Sequence, residues 1–284
     1  MNEFILEKIF NKINIIPPFP KTAHRALELL RRDEVDFREL EGIIKTDPGI
    51  AVNFLKLVNS AAFSLPQKVD SLLKAFMYLG IDQIKLILLA SVTGKYFSQN
   101  LTGYGVSAKD IWLHSIACAF TAEEIANELR LPPEKRESLY IASLLHDVGK
   151  IVLDLYTNLE EAKFYEVSQE NPSYDFLQVE WLVLGVDHGL VGGYLLKRWN
   201  FPEDITFAIR AHHDPDLMLQ KKMSAIVALA NILVNLLGLT GGIDAFKYKV
   251  PEGLLEVIGL SQKSLEIISH KVLKRTVFLE TLLV

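Results

Sequence analysis

Residues 143–150 read SLLHDVGK, and the four residues before them, 139–142, read LYIA. The apolar spacing extends on both sides to EKRESLYIASLLHDVGKIVLDLY, residues 134–156, which has the length and 3.6-residue period of one long buried helix. Three ionisable side chains, His146, Asp147 and Lys150, arrive inside it. Lys150 stands four residues from His146 and three from Asp147, so it shares a face with both. His146 and Asp147 themselves point about 100° apart on a helix, and converge only on something lying off its face. Burying each without a partner costs roughly several kcal/mol. Two partners fit the segment: an internal Asp147–Lys150 ion pair beside a hydrogen-bonded histidine, or a metal ion.

Outward from this stretch the punctuation is helical almost throughout. IIPPFP (15–20) holds the chain extended before KTAHRALELLRR (21–32) begins an apolar period. DFRELEGII (36–44) offers Asp36 as cap with Glu39 three positions on, and DPGIAVNFLKLVNS (47–60) offers Asp47 as cap with Pro48 at the first helical position. Asn59 and Ser60 read as residues that cap or bridge helices. VDSLLKAFMYLG (69–80) ends at Gly80, and DQIKLILLASVTGKYF (82–97) follows. NLTGYG (100–105) reads as a boundary; after it SAKDIWLHSIACAFTAEEIANELR (107–130) opens on a Ser107 cap. Further helices are expected at 158–169, 173–184, 187–199, 203–213, 222–238, 252–258 and 262–282. No strand pattern stands out, so the chain reads as all-α: a multi-helix bundle with an N-terminal helical layer. The expected parts are residues 1–105, 106–240 and a C-terminal helical extension, 241–284.

Composition narrows the function. With 284 residues, 50% of them hydrophobic, the chain can bury a substantial core. Residues 1–105 carry 13 Lys/Arg against 11 Asp/Glu, and the remainder 17 against 24. That acidic excess is the wrong sign for a nucleic-acid groove, which clusters cations, so nucleic acid is an unlikely partner. The start has no basic n-region followed by an apolar h-region, and the expected location is the cytoplasm. The most lipid-like run, SAIVALANILVNLLGL (224–239), is interrupted by Asn231 and Asn235 and falls short of a span, so no membrane is expected. A single cysteine, Cys118, excludes an internal disulfide and any thiolate zinc cage, both of which need several cysteines, and reads as a core thiol.

The histidines weight the metal alternative. Five of the seven, His114, His146, His188, His212 and His213, fall on expected helices of the second half, with His270 a sixth near the end. Asp110 lies one turn before His114. GVDHGLVGG (185–193) puts His188 at a helix start, and AIRAHHDP (208–215) places two histidines at a helix end. Imidazole with carboxylate suits iron, manganese, zinc or nickel rather than calcium.

HDVGK after an apolar helix, IWLHS upstream, DHGLVGGYLLKRW and then HH downstream resemble the HD superfamily of metal-dependent phosphohydrolases. IIPPFPKTAHRALELL, IIKTDPGIAVNFLKLVNSAAF and VDSLLKAFMYLGIDQIKLILL sharpen this to a resemblance to the HDOD family, over roughly residues 12–240. That resemblance implies an HD-superfamily bundle in a bacterial signalling or regulatory module whose relatives have generally lost catalytic ligands. Beside the HD-GYP cyclic-dinucleotide phosphodiesterases, this chain keeps Asp110, His114, His146, Asp147, Lys150, His188, His212 and His213 at matching positions. It departs from them in HHDPDLML (212–219), which has no GYP, and in Asn231, which stands where a metal-binding carboxylate is expected.

The implied site therefore has Asp110, His114, His146, Asp147, His188, His212 and His213 around one or two divalent transition ions. In a hydrolase of this kind Asp147 bridges the ions and Lys150 neutralises a phosphate oxygen. Asn231 replaces a charged ligand with a neutral amide and weakens one position. The leading expectation is a regulatory module that acts by binding a signalling protein or a nucleotide. The alternative is a metal-dependent phosphohydrolase or phosphodiesterase acting on a nucleotide.

Overall fold

The computed structural model describes residues 7–9, 11–13, 16–30, 32, 34–60, 67–94, 96–243 and 250–282, with side chains to residue 274. Among them there is no strand; an isolated bridge pairs Leu101 with Val106. The all-α expectation holds. The chain separates into two compact units, residues 18–98 with 276–284, and residues 1–17 with 99–275.

The first unit contains α1 (Lys21–Leu29), α2 (Phe37–Lys45), α3 (Pro48–Val58), α4 (Leu72–Tyr78) and α5 (Ile81–Thr93). Its starts follow the sequence signals. The Asp36 carboxylate accepts from the Arg38 and Glu39 amides, and Asp47 accepts from Ile50 ahead of Pro48. Asn59 bridges, as its position suggested: its amide donates to Leu55 O and Val69 O while its Oδ1 accepts from Val69 N. Gly80 does not close a helix in the left-handed conformation; α4 stops at Tyr78, and Gly80 is the extended residue before α5.

The second unit contains α6 (Ala108–Glu128), α7 (Pro133–Leu145), α8 (Val148–Leu159), α9 (Glu161–Glu170), α10 (Phe176–Leu184), α11 (His188–Arg198), α12 (Glu203–Ala211), α13 (Pro215–Met218), α14 (Lys222–Leu236), α15 (Leu254–Ile258) and, as far as Arg275, α16 (Gln262–Leu282). α6 is buried along most of its length and packs against α7 and α14, which its small residues Ala117, Ala119 and Ala122 allow to come close. α11 packs against α12 and α8.

One expectation is corrected here. The stretch 134–156 is two helices rather than one: α7 ends at Leu145, and Asp147 has φ −92° and ψ 8°, a bridge-region turn, before α8 begins. Hydrophobic period survives a bend of this kind, which is why the pattern looked continuous. The bend resolves the divergence expected of His146 and Asp147, since it lets both side chains serve one place. Gly149, just inside α8, is the close-approach point with α11: a Cβ there would stand 1.9 Å from the His188 carbonyl oxygen.

Candidate metal centre

Five segments of the second unit deliver the site. α6 carries His114 and, one turn on, Cys118; the α7–α8 bend carries His146 and Asp147, with Lys150 in the first turn of α8. Asp187 caps α11 by accepting from the Leu190 amide at 2.7 Å, which fixes His188 as the first helical residue. α12 ends at Ala211 and presents His212 and His213, and α14 carries Asn231.

These side chains converge on the Asp147 carboxylate. Its Oδ2 lies 3.6 Å from His114 Nε2, 3.4 Å from His146 Nε2 and 3.0 Å from Lys150 Nζ. Its Oδ1 lies 3.5 Å from His188 Nε2 and 3.8 Å from His212 Nε2. His114, His146, Asp147 and His188 have no exposed surface.

The opposite edges of four imidazoles are fixed. His114 Nδ1 meets Leu239 O at 2.7 Å, His146 Nδ1 meets Ser143 O at 2.8 Å, and His212 Nδ1 meets Ile209 O. His188 Nδ1 meets Glu180 Oε2 at 2.9 Å. A carbonyl or carboxylate only accepts, so each Nδ1 carries the proton, and in the neutral ring each Nε2 is left as a lone pair aimed at the cluster. Outer partners of this kind orient metal-binding histidines. Apart from the Lys150 ion pair at Asp147 Oδ2, both Asp147 oxygens, His188 Nε2 and His212 Nε2 are buried without a hydrogen-bond partner.

Protonation follows the same logic. Burial, then the charge of His146, lowers the His114 pKa to about 4. Burial lowers His212 likewise to about 4, and burial with His212 and His188 holds His213 well below its usual range. Burial also works against charge on His188, but the Glu180 carboxylate overrules it and raises that pKa. Burial pushes Asp147 up, and the charges of His146 and Lys150 outweigh it, so the carboxyl is held well below its ordinary value. The result is an ionised carboxylate facing imidazoles of which His114, His212 and His213 are held toward the neutral form, a set of Lewis bases that a divalent transition cation satisfies. Two groups could hold an ion: Asp147, His188, His212 and His213, and His114, Cys118 and His146.

The segment after α14 closes over this cluster. Leu239 O takes the His114 proton, and Gly241 O accepts from Lys150 Nζ at 3.2 Å. A Cβ on Gly241 would meet Asp147 Oδ2 and His114 Cδ2 at 2.8 Å each, so only glycine fits. The Gly241 amide reaches Asn235 Oδ1 at 3.4 Å, Asn235 Nδ2 donates to Asn231 Oδ1 at 2.8 Å, and Asn231 Nδ2 stands 3.3 Å from His213 Nε2. The amide oxygen of Asn231 is thus taken up within α14.

Of the residues singled out in the sequence, His114, His146, Asp147, Lys150, His188, His212 and His213 come together. Asp110 does not: it is exposed, and its carboxylate accepts from Ser107 Oγ at the start of α6. Glu180 was missed, although a lone acid in the apolar run FLQVEWLVL was a signal; it is fully buried and also accepts from Tyr104 OH. Among the described residues no single helix is long and apolar enough to cross a membrane.

A family model described as the HDOD domain matches residues 16–215. An HDOD domain protein of unknown function from Geobacter sulfurreducens has a similar structure, with TM-score 0.72 and 23% identity, covering 99% of this chain and 96% of that one. A candidate phosphohydrolase from Shewanella amazonensis SB2B follows at TM-score 0.69 and 18% identity, covering 97% of each chain. An uncharacterised protein of Treponema pallidum (strain Nichols) is 24% identical over 231 residues, which is 81% of this chain but 44% of that protein. The chain spans less than half the length of the curated relatives it matches.

Proposed function

The chain belongs to the HDOD family, and from that premise we propose that it is a signalling or regulatory module built round a retained divalent transition-metal centre, acting by binding a partner protein or a nucleotide rather than by turnover. One observation carries this reading: five histidines and Asp147 converge, yet the Lys150 ammonium is already engaged. Lys150 is held by Asp147 Oδ2 and Gly241 O, and Gly241 lies against Asp147 and His114. Asn231 adds to it, since its amide oxygen is already used and brings no charge to offset a second cation.

The residues present suit such an ion. His188 and His212 would offer Nε2, Asp147 either oxygen, and Lys150 and Glu180 would balance charge around them. A bound metal supplies Lewis-acid character; the chain supplies orientation, through the fixed Nδ1 bonds, and exclusion of water.

The test is metal content by mass spectrometry for protein purified without chelator or histidine tag, beside Asp147→Ala, followed by nucleotide binding and turnover with added manganese or iron. The proposal expects metal in the wild type alone and no Asp147-dependent turnover. Metal-free protein after reloading would sink it. A second reading, a phosphohydrolase acting on a nucleotide, is favoured by the Asp147–Lys150 pair and by the likeness to the Shewanella candidate phosphohydrolase. Turnover abolished by Asp147→Ala would put that reading first.

A further inference from the structure

Cys118 was expected to be a core thiol, and it is fully buried. Its surroundings are those of a ligand. Sγ lies 3.6 Å from His114 Nε2, and His114 Nε2 lies 3.3 Å from His146 Nε2. Both imidazoles spend their Nδ1 protons on carbonyl oxygens, so in the neutral rings two lone pairs face each other across that gap. The thiol can give one proton to one of them, which leaves the other facing a base. Asp147 Oδ2, buried and paired with Lys150 Nζ on one side, adds a fourth base 3.6 Å and 3.4 Å from the two nitrogens.

Four of the six donor-to-donor edges have distances that test what would satisfy these bases. Zinc at about 2.0–2.1 Å from nitrogen or oxygen and about 2.3 Å from sulfur, in a tetrahedron, sets N···N and N···O edges near ~3.4 Å and N···S edges near ~3.6 Å. The observed edges are 3.3 Å for His114 to His146, 3.6 Å for His114 to Cys118, and 3.6 Å and 3.4 Å to Asp147. The Cys118 to His146 edge is within 4.8 Å.

We propose that Cys118 is a metal ligand, forming with His114, His146 and Asp147 Oδ2 a thiolate-bearing site for zinc or another thiophilic divalent ion, beside the nitrogen-rich position of Asp147, His188, His212 and His213. The proposal rests on the metal-binding part of the function above. Cys118 brings the negative charge that Asn231 does not, from the turn of α6 after His114. Coordination releases the thiol proton to solvent, one per ion bound. Lys150 shares Asp147 Oδ2, which has lone pairs for both.

The test loads the full apo chain with cobalt(II) and follows the near-ultraviolet thiolate-to-cobalt charge-transfer band. The wild type shows the band; Cys118→Ser and Cys118→Ala lose it and lose one ion per chain, while retaining the ion at the nitrogen-rich position. Zinc-edge X-ray absorption of the wild type needs no variant and shows a sulfur scatterer at about 2.3 Å. Metal bound with only nitrogen and oxygen neighbours, or an unchanged spectrum in Cys118→Ser, overturns this proposal and leaves the wider metal reading standing. A wild type that takes up no metal overturns both.

Discussion

Gly149→Ala and Gly42→Ala are the same substitution with opposite expected signs. At Gly149 the new Cβ stands 1.9 Å from His188 O and 2.8 Å from Gly192 N, both backbone atoms, against 3.4 Å or more for ordinary contact. α8 and α11 must therefore part by about 1.5 Å along that line, the difference between those two separations. α11 cannot simply retreat, because a Cβ on Gly192 would already stand 3.0 Å from Ile209 on α12. Displacing His188 by that much also breaks its 2.9 Å bond to Glu180. Overpacking costs roughly 1–3 kcal/mol, loss of a charge-assisted hydrogen bond ~1.5–3, and alanine returns ~1 in helix propensity, for a net destabilisation of about 1.5–5 kcal/mol. At Gly42, on the exposed face of α2, nothing lies within 4 Å, and alanine gains ~0.5–1 kcal/mol. Urea unfolding separates the two, because all three tryptophans, Trp112, Trp181 and Trp199, lie in the second unit and report on it, while circular dichroism reports on both. A Gly149→Ala protein within ~0.5 kcal/mol of wild type, with unaltered metal affinity, would refute the close-approach argument.

Glu180→Gln keeps an acceptor for His188 Nδ1 but removes the charge that raises its pKa; zinc affinity, read by competition with a chelating dye, falls ~10–100-fold, and an unchanged affinity would show that Glu180 only packs. Acid destabilises the metal-free protein through His114 and His212. Their folded pKa values of about 4 lie below the unfolded value of about 6.5, so the unfolded chain binds more protons between those limits, and stability present above pH 6.5 is lost as pH falls toward 4. Each contributes up to ~1.4 kcal/mol per pH unit, while His188, whose pKa is raised, contributes stability that is complete below about pH 6.5 and is lost above it. A urea midpoint that is flat between pH 6.5 and 4.5, or a slope undiminished in His212→Gln, contradicts this. Asn59→Ala strands the amide and carbonyl of buried Val69; it costs ~1–3 kcal/mol, and a midpoint equal to wild type by circular dichroism would mean that water replaces both bonds.

The parts of the site that were legible in the sequence are those written in residue type. A histidine, an aspartate and a lysine in an apolar helix must have partners, and His114, His188, His212 and His213 were the residues able to supply them. The bend at Asp147 was not legible, because period 3.6 continues across a turn that leaves both flanking faces buried. Asp110 failed for a local reason: one turn before His114 is also the first turn of α6, where Ser107 and the helix end claim a carboxylate. Leu239 and Gly241 act through backbone carbonyls, which every residue type possesses, from 125 and 91 positions away in the chain. Cys118 lies between these cases. Its spacing of four from His114 was visible, but a thiol is equally at home in a core, and only the positions of His146 and Asp147, brought by a bend that the pattern concealed, separate a packing residue from a fourth donor.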